Sequence, residues 1–361
     1  MRGRICEYYK KLTMDLAPWP RYQCPDCRRP LERTGASLKC PGCGRAFQCD
    51  RGVWRLLPQQ IENSSTKNRE KEGWARLSAT SLDAVRDYYL ALPYVDDAAV
   101  QSTHYREAAR QFRLLLSYLD PLPGKCGLDL GGSIGWGAWR LAQAGARMLL
   151  ADYNDDPIAG LGGARIYLEQ GPPFERACVD AECLPLADAQ FDFVYCCAFL
   201  HHLTHPASVV CDVARVLRPG GVFAASMESF RPWWMSAERA LARSRRALEF
   251  KDDGINEQVF SMGEYRRWFQ AADLRLMVVN PRWDEAGPWR IDWNAGLQQP
   301  DYEPEILANR RDRAGLTGWL VRRLLARGHW RVLASRTLFP LLRGPLWAST
   351  QKYRILIGLK A

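Results

Sequence analysis

Four cysteines stand in two close pairs, Cys24 with Cys27 and Cys40 with Cys43, at the spacing C-x2-C-x12-C-x2-C. Each pair lies in a CPxC knuckle, a turn that aims two thiolates at one point, and a tetrahedral zinc ion takes four such ligands. Two knuckles at this spacing favour a structural zinc ribbon over a redox pair or unlinked thiols. A closed four-thiolate site has no open coordination position, so its task is folding or docking rather than catalysis. Phe47, Val53 and Trp54 are the expected apolar support, and Cys49 reads as a neighbour rather than a ligand.

A second concentration of chemistry is histidine. His201, His202 and His205 are three of the five histidines in the chain, and they come after the run Phe191-Asp192-Phe193-Val194-Tyr195 and the segment Cys196 to Leu200 that ends the strand. A neutral imidazole at the carboxyl end of a strand can take a proton from an acceptor hydroxyl, with His201 or His202 placed ahead of His205. The competing reading is structural, with the rings packing or orienting a loop. Zinc held by these three is disfavoured, since adjacent histidines seldom face one point.

The third group is a turn with an acid behind it. Leu128-Asp129-Leu130 closes an apolar run that fits a buried parallel strand, and Gly131, Gly132, Gly135 and Gly137 follow where the strand would pass into a helix. Trp136, Trp139 and Leu141 give that helix an apolar side, Gly145 ends it, and Met148-Leu149-Leu150-Ala151 leads to Asp152. In an open α/β sheet such a unit binds an adenosine-containing ligand. Backbone N–H groups at the helix start take an anion, and the acid takes ribose hydroxyls. A dinucleotide turn needs glycines at i, i+2 and i+5. Position 134 is Ile and position 140 is Arg, which disfavours NAD.

The same stretch resembles motif I of the class I S-adenosylmethionine (SAM) methyltransferases, whose D-x-G-x-G-x-G maps onto Asp129, Gly131, Ser133 and Gly135. Ser133 stands where that family normally has glycine. The string Ala214 to Ser226, ARVLRPGGVFAAS, and the LHHL segment at Leu200 to Leu203 extend the resemblance over roughly residues 105 to 280 plus a last strand at 352 to 360. It implies a Rossmann-like α/β fold, a seven-stranded sheet whose last strand is antiparallel. It further implies SAM as cofactor and methyl transfer as the activity. The cofactor residues it implies are Asp129, Gly131, Gly132, Ser133, Gly135, Asp152, Tyr153, Asp180, Ala181 and Cys197, with Asp180, ahead of nearby Glu182, holding the adenine amino group.

Around this core, residues 1–58 are expected to form the ribbon domain. The polar run Gln59 to Lys71 opens a linker over 59–80, and 81–361 forms the methyltransferase domain. Within that domain, helical spacing at Ala108, Phe112, Leu115, Leu116 and Leu119 predicts a cap over 81–120 that covers the cofactor site. Tyr88, Tyr89 and Tyr94 in the cap could line an acceptor pocket, although aromatic packing is the plainer reading. Residues 281–351 read as a helical C-terminal insertion, in which Trp319, Leu320, Leu324 and Trp330 with Arg322, Arg323, Arg327 and Arg331 could form a basic amphipathic surface for a membrane interface. A cap packed on the core, with Arg on its wet face, is the alternative.

The chain has 361 residues, 47% of them hydrophobic and 25% charged, with no run of 18 apolar residues, so a cytoplasmic globular protein is expected. The twelve cysteines suit a reducing compartment. A net charge of +10 concentrates at the ends, +5 in residues 1–50 and +8 in 301–361, which favours an anionic partner. Two functions follow. One is methyl transfer to an oxygen, or a nitrogen, of a saccharide, lipid-linked or other small molecule. The other is ribosomal RNA guanine methylation, because a Cys-rich ribbon before this domain resembles bacterial guanine-N1 methyltransferases and basic ends suit phosphate contacts.

Overall fold

The computed structural model describes residues 19–35, 37–62, 64–76, 81–95, 102–279, 290–292, 296–298 and 353–361. Four short strands open it, β1 (Glu32–Thr34), β2 (Ser37–Lys39), β3 (Ala46–Asp50) and β4 (Val53–Leu56). Four helices follow, α1 (Gln59–Glu62), α2 (Ser65–Arg76), α3 (Arg86–Ala91) and α4 (Ser102–Leu119). The alternating core runs β5 (Cys126–Leu130), α5 (Trp136–Gln143), β6 (Arg147–Asp152), α6 (Arg165–Gln170), β7 (Glu175–Val179), β8 (Phe191–Cys197), α7 (Pro206–Val216) and β9 (Leu217–Arg231). After it come α8 (Ala237–Leu241), α9 (Arg245–Asp252), β10 (Phe260–Ser261), α10 (Met262–Ala271), β11 (Leu274–Val279), β12 (Arg290–Asp292), β13 (Gly296–Gln298) and β14 (Tyr353–Lys360).

The central strands lie in the order β7-β6-β5-β8-β9-β14-β11. β5, β6, β7, β8 and β9 pair in parallel, and β14 is antiparallel to both β9 and β11. That is the Rossmann-like α/β arrangement expected, with the last strand of the chain antiparallel to its neighbours. The parallel strands are covered on both faces, so they read as apolar runs rather than alternations. The Arg218-Pro219-Gly220-Gly221 turn is a bulge inside β9: Phe191 pairs with Leu217 and Phe193 with Val222, leaving the intervening residues out of register.

At the N-terminal end, β4 adds to the edge of β7 in parallel, Val53 against Arg176 through Leu56 against Val179. The ribbon's apolar residues Tyr22, Leu38, Phe47 and Trp54 pack in the same core as Leu149, Val179 and Leu186. Within 59–80, residues 59–62 and 65–76 are helical. This polar sequence folds as α1 and α2, whose charged side chains find partners on the sheet's carboxyl end rather than in water. Within 81–120, the described residues include the helices α3 and α4. Of the helical insertion at 281–351, the described residues are strands β12 and β13, which extend the sheet beyond β11. The proposed basic amphipathic surface at 319–331 lies outside the described residues.

Candidate active site

The sheet's carboxyl edge opens into a cavity of about 1300 Å³. Its floor is the turn after β5. Gly131 has φ +70°, and a Cβ there would lie 2.0 Å from the Phe199 ring. A Cβ on Gly132 would meet Leu150 and the Asp129 carboxylate at 2.5–2.6 Å. Only glycine lets this turn pass between those side chains and remain on the cavity surface. Ser133 keeps the left-handed conformation at φ +50°, with its hydroxyl donating to the Ala159 carbonyl at 2.7 Å. The departure from glycine is therefore accommodated by a local hydrogen bond rather than by a change of path. Gly135, at φ +84°, begins α5 and packs against Leu150 but does not line the cavity, so its role is the turn.

Two acids organise that turn. Asp129 Oδ2 accepts from the Ala138 N–H at 2.6 Å, taking one of the unpaired donors at the start of α5. Burial raises the Asp129 carboxyl to about 7, against the pull of that N–H, and the nearby Asp152 raises it further. Asp152 accepts from Ser133 N–H at 2.8 Å and Asn154 N–H at 2.7 Å, and burial raises its carboxyl also. Tyr153 follows it along the wall.

At the next strand end Asp180 is 2% exposed. Its Oδ1 takes the Glu182 N–H at 3.0 Å and Lys67 Nζ at 3.2 Å. Ala181 and Cys197 complete this side.

The same cavity is lined by His201 and His202. His201 Nδ1 is 2.8 Å from Glu228 Oε2. Glu228 Oε1 accepts the Phe199 and Leu200 N–H groups at 3.0 Å, and Oε2 also accepts the Tyr265 hydroxyl at 3.3 Å. A buried carboxylate so held orients the ring and fixes its tautomer. His202 Nδ1 is 2.6 Å from the Asn256 carbonyl, and Trp74 packs edge-on against its ring at 5.5 Å. One ring nitrogen of each histidine and a Glu257 carboxylate oxygen lie within 4.8 Å of one another. His205 is exposed and does not reach the cavity. Of the cap tyrosines, Tyr89 lines the cavity, Tyr88 packs on Tyr105, and Tyr94 lies under Arg113 and Arg140 on the surface.

Several lining residues escape a linear reading: Lys67, Glu70 and Trp74 of α2, Phe199, and Glu257. Glu228, which orients His201, escapes it too. The signal for Glu228 was an acid directly behind an apolar strand. For α2 the sequence offered only polarity, which water and a binding site explain equally well.

The four ribbon thiols converge, with Cys24 and Cys43 Sγ 3.5 Å apart and Cys27 and Cys40 Sγ 3.3 Å apart. Gly42 and Cys43 N–H groups donate to Cys40 Sγ at 3.3 and 3.4 Å. Such spacing and backbone support fit a tetrahedral zinc. Cys49 lies outside the group.

A parallel sheet in this order, a glycine turn feeding a helix, and an acid at the end of the next strand define a nucleoside-binding methyltransferase architecture. Residues 128–225 match the family model described as "Methyltransferase domain". The chain is 32% identical over 180 residues to a ubiquinone biosynthesis O-methyltransferase of Hahella chejuensis, covering 46% of this chain and 74% of that protein. It is 27% identical over 246 residues to a dimethylglycine N-methyltransferase of Parasynechococcus marenigrum, covering 65% and 81%. An uncharacterized transposon protein of Streptomyces fradiae is 33% identical over 158 residues, and this chain spans only 43% of its length. Among solved structures, a Haemonchus contortus phosphoethanolamine N-methyltransferase is similar at a TM-score of 0.43 and 18% identity, covering 69% of this chain and 52% of that one. The chain belongs to the class I SAM-dependent methyltransferases, and SAM is its cofactor.

Proposed function

We propose that this enzyme transfers the SAM methyl group to an oxygen, or a nitrogen, of a small acceptor, with a lipid-linked or saccharide-bearing molecule as the class. The observation that supports this is the continuity of one cavity from Asp152 and Asp180 to His201 and His202. A cavity of about 1300 Å³ exceeds what a drug-sized ligand needs, leaving room for cofactor and acceptor together. Its far wall carries Phe230, Pro232, Met235, Leu241 and Phe250, which suits an acceptor with an apolar portion.

SAM supplies an activated methyl on a sulfonium, so the chain's own residues chiefly align and deprotonate. The turn at Gly131 and Gly132 gives the cofactor a surface without side chains, and Asp152 holds ribose hydroxyls. Asp180 takes the adenine amino group. His201, oriented by Glu228, or His202 takes the acceptor proton as the new bond forms. Zinc in the ribbon would be held by Cys24, Cys27, Cys40 and Cys43 and would contribute stability rather than chemistry.

The test is radiolabelled SAM with the enzyme in cell extract, fractionated into RNA, lipid and small molecules. Label in the lipid or small-molecule fraction is expected, and label confined to RNA overturns the proposal in favour of guanine methylation. With the acceptor in hand, His201→Ala and His202→Ala are compared. The base loses about 100-fold in kcat with SAM affinity kept. A residue whose removal leaves turnover unchanged is not the base.

A further inference from the structure

Helix α2 lies across the carboxyl ends of the two strands that present Asp152 and Asp180. Lys67 reaches Asp180 Oδ1 at 3.2 Å and lies over the Tyr153 ring at 5.6 Å from its centre. Asn68 Oδ1 accepts the Tyr153 hydroxyl at 3.4 Å. Lys71 pairs with Asp155, which Arg55 of β4 also engages. One turn further on, Trp74 rests against His202. Among the described residues nothing donates to Asp180 Oδ2, while Oδ1 is held by two donors. A buried carboxylate with one oxygen clamped and the other at a cavity wall is set to accept a hydrogen bond from a ligand N–H.

The segment that carries Asp180 is gripped from behind by the first cysteine knuckle. Arg28 Nη1 donates to the Leu184 carbonyl at 2.6 Å and Cys183 Sγ to the Pro25 carbonyl at 3.3 Å. Gln23 N–H donates to the Pro185 carbonyl at 2.9 Å, and Ala187 N–H to the Arg21 carbonyl at 3.0 Å. Asp26, inside the knuckle, accepts the Gln59 N–H at 3.0 Å and so ties down the start of α1, which leads into α2. The knuckle therefore holds both partners of the Lys67–Asp180 pair.

We propose that Lys67 and the Cys24–Cys27 knuckle are positioning parts of the SAM site: Lys67 presents Asp180 to the adenine amino group, and metal in the ribbon keeps the two in register. This rests on the assignment of Asp180 to adenine. Without a cation the four cysteines take protons back and lose the common centre that joins the two knuckles, which loosens the first knuckle and the segment it grips.

The test is calorimetry on the full chain with SAM and with S-inosylhomocysteine beside S-adenosylhomocysteine, the inosyl compound lacking the amino group. Lys67→Ala is expected to weaken both adenosyl ligands about tenfold and to leave the inosyl ligand within about twofold. Lys67→Arg restores affinity. Removing metal from the wild type with a chelator weakens SAM in the same way, and added zinc reverses it. Adenosyl binding unchanged in Lys67→Ala, or adenosyl and inosyl ligands weakened equally, overturns the role of Lys67. Unchanged SAM affinity after metal removal overturns the role of the knuckle. Wild-type binding of SAM is measured alongside, so failure here is separable from failure of the methyl-transfer proposal.

Discussion

Gly131 shows how a residue can be legible in type while its reason is not. The glycines after β5 suggest room for a cofactor, whereas the nearest atoms to a Cβ on Gly131 belong to Phe199 of the same chain. The turn is narrow because protein packs both its sides. Gly131→Ala combines a left-handed residue with an overlap at 2.0 Å, so it is expected to displace Phe199 and lower SAM affinity at least about tenfold. Strain on the order of 1–3 kcal/mol would appear as a drop in melting temperature. Wild-type affinity by calorimetry would show that the turn has slack. His201 and His202 were legible by their clustering. Their partners Glu228 and Asn256 were not, because they come from segments 27 and 54 residues away in sequence.

At the scale of elements, α2 is where polarity misled. Helix formation there does without an apolar stripe: Ser64 Oγ caps its start by accepting the Lys67 N–H at 3.4 Å, and contacts with Asp155, Tyr153 and Asp180 hold one face. Glu70 on that helix shows the consequence. Burial raises its carboxyl to about 7, with Asp152 and Glu182 adding repulsion and Lys67 and the Asn256 N–H opposing. The folded state thus binds the proton more tightly than the unfolded chain, so Glu70 lowers stability as pH rises from 4.5 towards 7. Glu70→Gln is expected to be more stable than wild type at pH 8, by on the order of 1–3 kcal/mol, and equal to it near pH 4. Denaturant melts at the two pH values measure this, and a difference independent of pH would mean Glu70 is solvated.

For the molecule as a whole, the ribbon and the methyltransferase sheet are one structure. β4 continues the sheet past β7, and Phe47, 3% exposed, packs in the core that also holds Leu149 and Leu186. Phe47→Ala is therefore expected to cost about 3–5 kcal/mol and to lower a single unfolding transition seen equally by ribbon and sheet probes. Two separated transitions would show that the ribbon folds independently. No helix among the described residues is long and apolar enough to cross a membrane.

What the amino-acid order determined alone was whatever short-range pattern encodes: the parallel strands as apolar runs, the glycine turn with Asp152 behind it, and the two cysteine knuckles. Each is a matter of spacing within a few residues, where backbone geometry and ligand number leave little choice. What tertiary structure alone decided was partnership across distance. Lys67 meets Asp180, Glu228 meets His201, and a ribbon strand completes the edge of β7. Those pairings follow from burial of polar groups far apart in the chain, each of which must find a partner once water is removed, and no local pattern records which one it finds.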